Sequence, residues 1–127
     1  METHVQRFAA DLQVIQAYRA GGFTIAGVRH QGSVMVFPDR VLPWQPTSPG
    51  EIDLACLEPL RAVEPAPDIL VIGLGADFVP FPPDLRQAIR TWGPVVEVMA
   101  TPAACRTYNV LLAEERRVAA SLIALPG

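Results

Sequence analysis

Asp68-Ile-Leu-Val-Ile-Gly-Leu-Gly75 is apolar without interruption from Ile69 to Ile72 and then breaks on two glycines. A strand with one wet face alternates apolar and polar residues, whereas a strand covered on both faces does not. The run therefore predicts a strand buried on both of its faces. Downstream, Pro82-Pro83-Asp84 opens a helix whose Leu85, Ala88, Ile89 and Trp92 form one stripe, closed by Gly93. Pro94 to Met99 reads as the next strand. Thr101-Pro102 reads as the cap and first residue of a second helix that turns Ala104, Tyr108, Leu111 and Leu112 inward. Arg117 to Leu125 reads as a last strand. Strand, helix, strand, helix, strand argues for parallel pairing through right-handed crossovers.

Working back toward the start, the chain reads as β. Gln13 to Ala20 is strand-like, Gly21-Gly22 offers a turn, Phe23 to Val28 alternates, Arg29 to Gly32 turns again, and Ser33 to Phe37 runs to Pro38-Asp39. Between Leu42 and Pro67 the chain is dense in proline, with a helix entry at Ser48-Pro49-Gly50-Glu51. The predicted class is α/β: a single domain over 1–127 in three layers, β/β/α. An N-terminal meander lies against a mixed sheet, and two main helices share the sheet's other face.

Composition narrows the function. Half of the 127 residues are hydrophobic, 18% are charged, and the net charge is −3. These values suit a folded domain with its own core. All ten basic residues are arginine and none cluster beyond Arg116-Arg117, which argues against nucleic acid as a partner. No apolar run approaches the ~20 residues of a membrane span. Met1 to Phe8 lacks a secretory signal pattern, so a cytoplasmic location is expected. Cys56 and Cys105 are expected as free thiols, with Cys56 in the core.

Several residues could carry chemistry. Gly73-Leu-Gly75 after a buried strand invites a dinucleotide reading, but the third glycine of that fingerprint falls on Phe78, so no dinucleotide or other cofactor is expected. The histidines and cysteines have no ligand spacing, and no metal is expected. Cys105 is the one candidate catalytic residue. It sits near a helix start, where the dipole and Arg106 favour a thiolate, and Asn109 lies one turn on. No base accompanies it, and packing as a small hydrophobe is the competing reading. Trp44 and Phe78, in proline-bounded loops, are readable either as partner anchors or as lids over the sheet.

Asp68–Gly75, Val96-Glu-Val-Met99, Thr101-Pro-Ala-Ala-Cys-Arg-Thr-Tyr-Asn109 and the tail Arg117–Leu125 together resemble the Mth938-like family of α/β proteins. That family includes mitochondrial complex I assembly factor three. The resemblance implies a three-layer fold, no secure enzymatic activity, and for the mitochondrial branch a part in complex I assembly. Two positions depart from the family pattern: Leu74 stands where threonine is common, and Glu115 where glycine is frequent. The first functional expectation is thus a non-enzymatic interaction or assembly protein with a protein partner. Its contacts would involve Trp44, the Gly73–Gly75 turn and the start of the second helix with Thr101 and Arg106. The alternative is a small-molecule or anion site, enzymatic or not, at the helix start. There Cys105 would be the nucleophile or anion contact, with Arg106 and Asn109 orienting a small anionic ligand.

Overall fold

The computed structural model describes residues 12–126, so the reading of Met1 to Phe8 lies outside the described residues. Two sheets form. The first holds β1 (Ile15–Arg19), β2 (Gly22–Ile25) and β3 (Val28–Gln31), antiparallel in that order. The sequence places a turn at Arg29 to Gly32, but the chain turns earlier, at Ala26-Gly27, where both residues have positive φ. Gly27 adopts that conformation at no steric cost, which frees Arg29, His30 and Gln31 to pair with β2.

The second sheet is mixed. Its strands are β4 (Val34–Phe37), β5 (Arg40–Pro43), β6 (Ile69–Gly73), β7 (Val95–Met99) and β8 (Val118–Leu122), in the order β5-β4-β8-β6-β7. β6 lies between β7 and β8 and is parallel to both, while β4 is antiparallel to β8 and β5. Leu70, Val71 and Ile72 are all fully buried, the pattern their uninterrupted hydrophobicity requires.

Alternation along the strands divides the core in two. Val34, Val36, Val71, Ala120 and Leu122 face the three-stranded sheet (Ile15, Phe23, Ile25) and the helix α2 (Thr101–Ala113). Met35, Phe37, Leu70, Ile72 and Ala119 face the other way, toward the helix α1 (Pro83–Arg90) and the 3₁₀ segment Ala55–Ala62.

The α/β class and mixed sheet match the expectation, but Ser33–Phe37, read as the meander's third strand, pairs into the mixed sheet as β4 while Val28–Gln31 completes the small sheet, and the two helices do not share a face. Their connections explain the difference. β6 to β7 steps one way along the sheet, and β7 to β8 steps back across β6. Right-handed crossovers running in opposite directions put their helices on opposite faces.

The proline-dense middle of the chain covers the α1 face. Trp44 is buried at 6% exposure, and its Nε1–H donates to the Cys56 carbonyl at 2.9 Å. It belongs to the core and is not a surface anchor. At the expected helix entry, Ser48 makes no capping bond. Instead Glu51 accepts from the Thr47 backbone N–H at 2.8 Å and leads only a single 3₁₀ turn, Pro49–Glu51.

α2 ends in a Schellman motif. The Arg116 N–H donates to Leu111 C=O and the Glu115 N–H to Leu112 C=O, both at 3.0 Å. The motif needs a left-handed residue, and Glu115 supplies it at φ +63°. This is the position where the resembled family often has glycine. Glu115→Gly is expected to raise stability by about 1 kcal/mol, read as a higher urea midpoint with unchanged slope.

Candidate functional site

The C-terminal ends of β6 and β8 lie side by side, the place where open α/β sheets most often hold ligands. From β6 the chain leaves through Gly73-Leu74-Gly75. A Cβ on Gly73 would stand 2.8 Å from Thr101 Oγ1 and 3.1 Å from Ala104 Cβ, so only glycine lets the first turn of α2 settle on the strand end. Gly75, at φ +97°, then turns the chain out.

Thr101 is fully buried here and is the first helical residue; Ala100 occupies the cap position and has no side-chain cap. This corrects the expectation that Thr101 is the N-cap. Its hydroxyl accepts from the Gly75 N–H at 2.8 Å and donates to the Ile123 carbonyl at 2.7 Å, bridging the exits of β6 and β8. Backbone bonds complete the junction: Leu74 N–H to Met99 C=O at 2.9 Å, Thr101 N–H to Gly75 C=O at 2.8 Å, and Ile123 N–H to Gly73 C=O at 3.0 Å. At the helix start the Thr101 N–H is therefore occupied and Pro102 has none, which leaves little of the donor array that would hold an anion.

The other candidates are equally committed. Cys105 is 2% exposed within the cluster that includes Val71 and Tyr108. Burial pushes its thiol up to about 12, against a smaller lowering by Arg106. Desolvation thus outweighs the effect expected from the helix start, and the sulfur packs as a hydrophobe. Asn109 does not face the sulfur. Its side-chain oxygen accepts from the Ile15 N–H at 3.0 Å and its amide donates to the Ile15 carbonyl at 2.8 Å, clasping β1. Arg106 is exposed, with only a long 3.5 Å contact to the Tyr18 hydroxyl. Among the described residues, no group of three or more His, Cys, Asp or Glu is placed to hold a metal ion.

The junction thus brings together Gly73, Gly75 and Thr101, with Cys105 buried behind them and Trp44 on the opposite core. Outside it lies a cleft of about 350 Å³ lined by Ser48, Leu74, Gly75, Asp77, Val79 and Ile123. Phe78, next along the loop from Asp77, is 62% exposed. Of the two loop aromatics singled out in the sequence, Trp44 is the buried one and Phe78 the displayed one. Their contexts, Trp44 between Pro43 and Pro46 and Phe78 between Gly75 and Pro80, do not reveal which is buried.

Residues 15–123 match the family model described as a protein of unknown function, DUF498/DUF598. The chain belongs to this family. It is 40% identical over 113 residues to an uncharacterised protein of Rhodobacter capsulatus, covering 89% of this chain and 86% of that one. It is 36% identical over 123 residues to human NADH dehydrogenase (ubiquinone) 1 alpha subcomplex assembly factor 3, covering 97% of this chain and 67% of that protein. Among solved structures, a Bartonella henselae protein described as an outer membrane protein superposes with a TM-score of 0.80 at 34% identity, over 91% of this chain and 98% of that one. A Bordetella pertussis protein described as a Mth938-like domain superposes with a TM-score of 0.77 at 29% identity, over 89% and 86%. Among the described residues no helix of this chain is long and apolar enough to cross a membrane.

The Thr101 bridge is testable by shape-conserving change. Thr101→Val leaves a buried N–H and a buried C=O unpaired and is expected to cost about 2–4 kcal/mol, whereas Thr101→Ser keeps both bonds and loses much less in urea unfolding.

Alkaline pH tests the buried thiol. From about 9 to about 12 the unfolded chain's Cys105 loses its proton while the folded chain keeps it. The folded state then binds more protons, so stability falls as pH rises through that window. Burial raises the Tyr108 hydroxyl in the same direction. Unfolding midpoints measured from neutral to alkaline pH are expected to fall less steeply for Cys105→Ala than for the wild type.

Proposed function

We propose that this chain is a non-enzymatic interaction protein that acts in the assembly of a respiratory complex of the complex I type, from the cytoplasmic side. The observation that carries this reading is the 36% identity to the human assembly factor along 97% of the chain. The commitments of the junction residues support it. Thr101 and Asn109 are spent on backbone bonds and Cys105 on packing, so the polar groups nearest the strand ends serve to hold the fold. What faces outward there is Phe78, on a loop stiffened by Pro80, Pro82 and Pro83. An aromatic displayed on a rigid loop gives a partner a large contact at small entropic cost.

A ligand site at the start of α2, with Cys105 reacting and Arg106 and Asn109 orienting an anion, is the competing reading. The occupied Thr101 N–H, the missing Pro102 N–H and the raised thiol weigh against it.

The test is co-purification from the native host at native expression level after gentle solubilisation. Subunits of a complex I-type enzyme are expected with the wild type. Phe78→Ala is expected to lower their recovery severalfold while leaving the unfolding midpoint unchanged. Absence of such subunits from the wild-type preparation would overturn the proposal.

A further inference from the structure

The three-stranded sheet carries a pocket of about 510 Å³ whose lining includes Arg19, Gly21, Gly22, Arg29, His30 and Gln31. Strand register fixes which side chains share a face. Arg19 pairs with Gly22 and Gly22 with Gln31; two residues along β2, Thr24 pairs with Arg29. Directly paired residues point to one side of a sheet, and so do residues two apart on a strand. Arg19, Gln31 and Arg29 therefore stand on a common face, opposite to the one through which Phe23 enters the core.

Gly22 stands at the centre of the row from Arg19 to Gln31, and a Cβ built there would collide with the His30 carbonyl oxygen, so glycine is what lets the backbones approach at this point. Among the described residues, no acidic side chain lines the pocket. Among the described residues the ion pairs are Arg40–Asp39, Arg61–Glu58 and Arg117–Asp68, and none involves Arg19 or Arg29. Two guanidinium groups thus share one concavity with no carboxylate from the described residues, in a chain whose net charge is −3. Each offers a fork of donors matched to paired oxygens, and the volume lies in the ~300–1,000 Å³ range of small-ligand sites.

We infer that this pocket binds a small anion bearing several charged oxygens, phosphate or carboxylate, held between Arg19 and Arg29. The site is separate from the Phe78 loop and does not depend on the assembly role.

Amide chemical shifts of the labelled protein, titrated separately with pyrophosphate and with citrate at low salt, test the inference. Saturable shifts confined to the amides around Gly21, Gly22 and Gln31 are expected with one of the two, which identifies the oxygen chemistry. Arg19→Ala and Arg29→Ala are each expected to weaken that binding about tenfold or more, with the remaining amides unmoved as evidence of an intact fold. Arg90→Ala, on the helix across the large sheet, is expected to bind as the wild type does. Shifts that grow linearly with both anions at millimolar concentration, or wild-type affinity in both arginine variants, would overturn the inference.

Discussion

One buried hydroxyl holds the architecture together. Two strands of a sheet can lie parallel only if the chain leaves both at the same end and comes back around, so their exits crowd together. In this chain the exits of β6 and β8 are joined by Thr101 Oγ1, which accepts a hydrogen bond from the Gly75 N–H and donates one to the Ile123 carbonyl. The bridge is short enough to form only because Gly73 carries no side chain. The direction of α2, the depth of Cys105 and the outward course of the loop after Gly75 all follow from that contact.

The same contact shapes the functional reading. A strand-end crevice becomes a binding site when it keeps unpaired donors pointing outward. Here the donors at Leu74, Gly75 and Thr101 are paired within the junction. Polarity at the strand ends has been used internally, and the cleft outside is walled by Leu74, Val79 and Ile123 together with Ser48 and Asp77, beside a displayed phenyl ring. The assembly role proposed above uses that surface for a protein partner. It agrees in kind with relatives named for assembling a larger complex.

What the sequence made legible depended on whether the deciding interaction was local. The unbroken apolar run of β6, the stripe of α1 and the glycines that end the strands are local signals, and they located a strand covered on both faces and the helices. The side on which each helix lies is not local: it depends on β8 pairing with β6 across from β7, a long-range choice that helical periodicity does not carry. Thr101 was recognisable as important because threonine before proline suggests a helix start. Its actual partners are 26 and 22 residues away in the chain. Asn109, one turn beyond Cys105, invited a catalytic pairing; the strand it holds is 94 residues distant. Trp44 and Phe78 show the same limit, since burial is decided by what the loop folds against. Glu115 is the reverse case, where a departure from the resembled pattern marks a backbone conformation that glycine would adopt more easily.

The clasp between Asn109 and Ile15 bears on how the molecule opens. The three-stranded sheet is joined to the rest of the described chain by that paired clasp, by the Ala20–Leu125 bridge and by the apolar surface of Phe23 and Ile25. Its own ladders are internal to it. A layer attached in this way can detach as a cooperative unit at less cost than global unfolding, carrying its hydrogen bonds with it. Amide protons in the centre of β6 would then exchange only through global unfolding, while those bonding the meander to the body would exchange through its detachment. The protein would possess a hierarchy of openings, in which the layer that opens first is the one that carries Arg19 and Arg29.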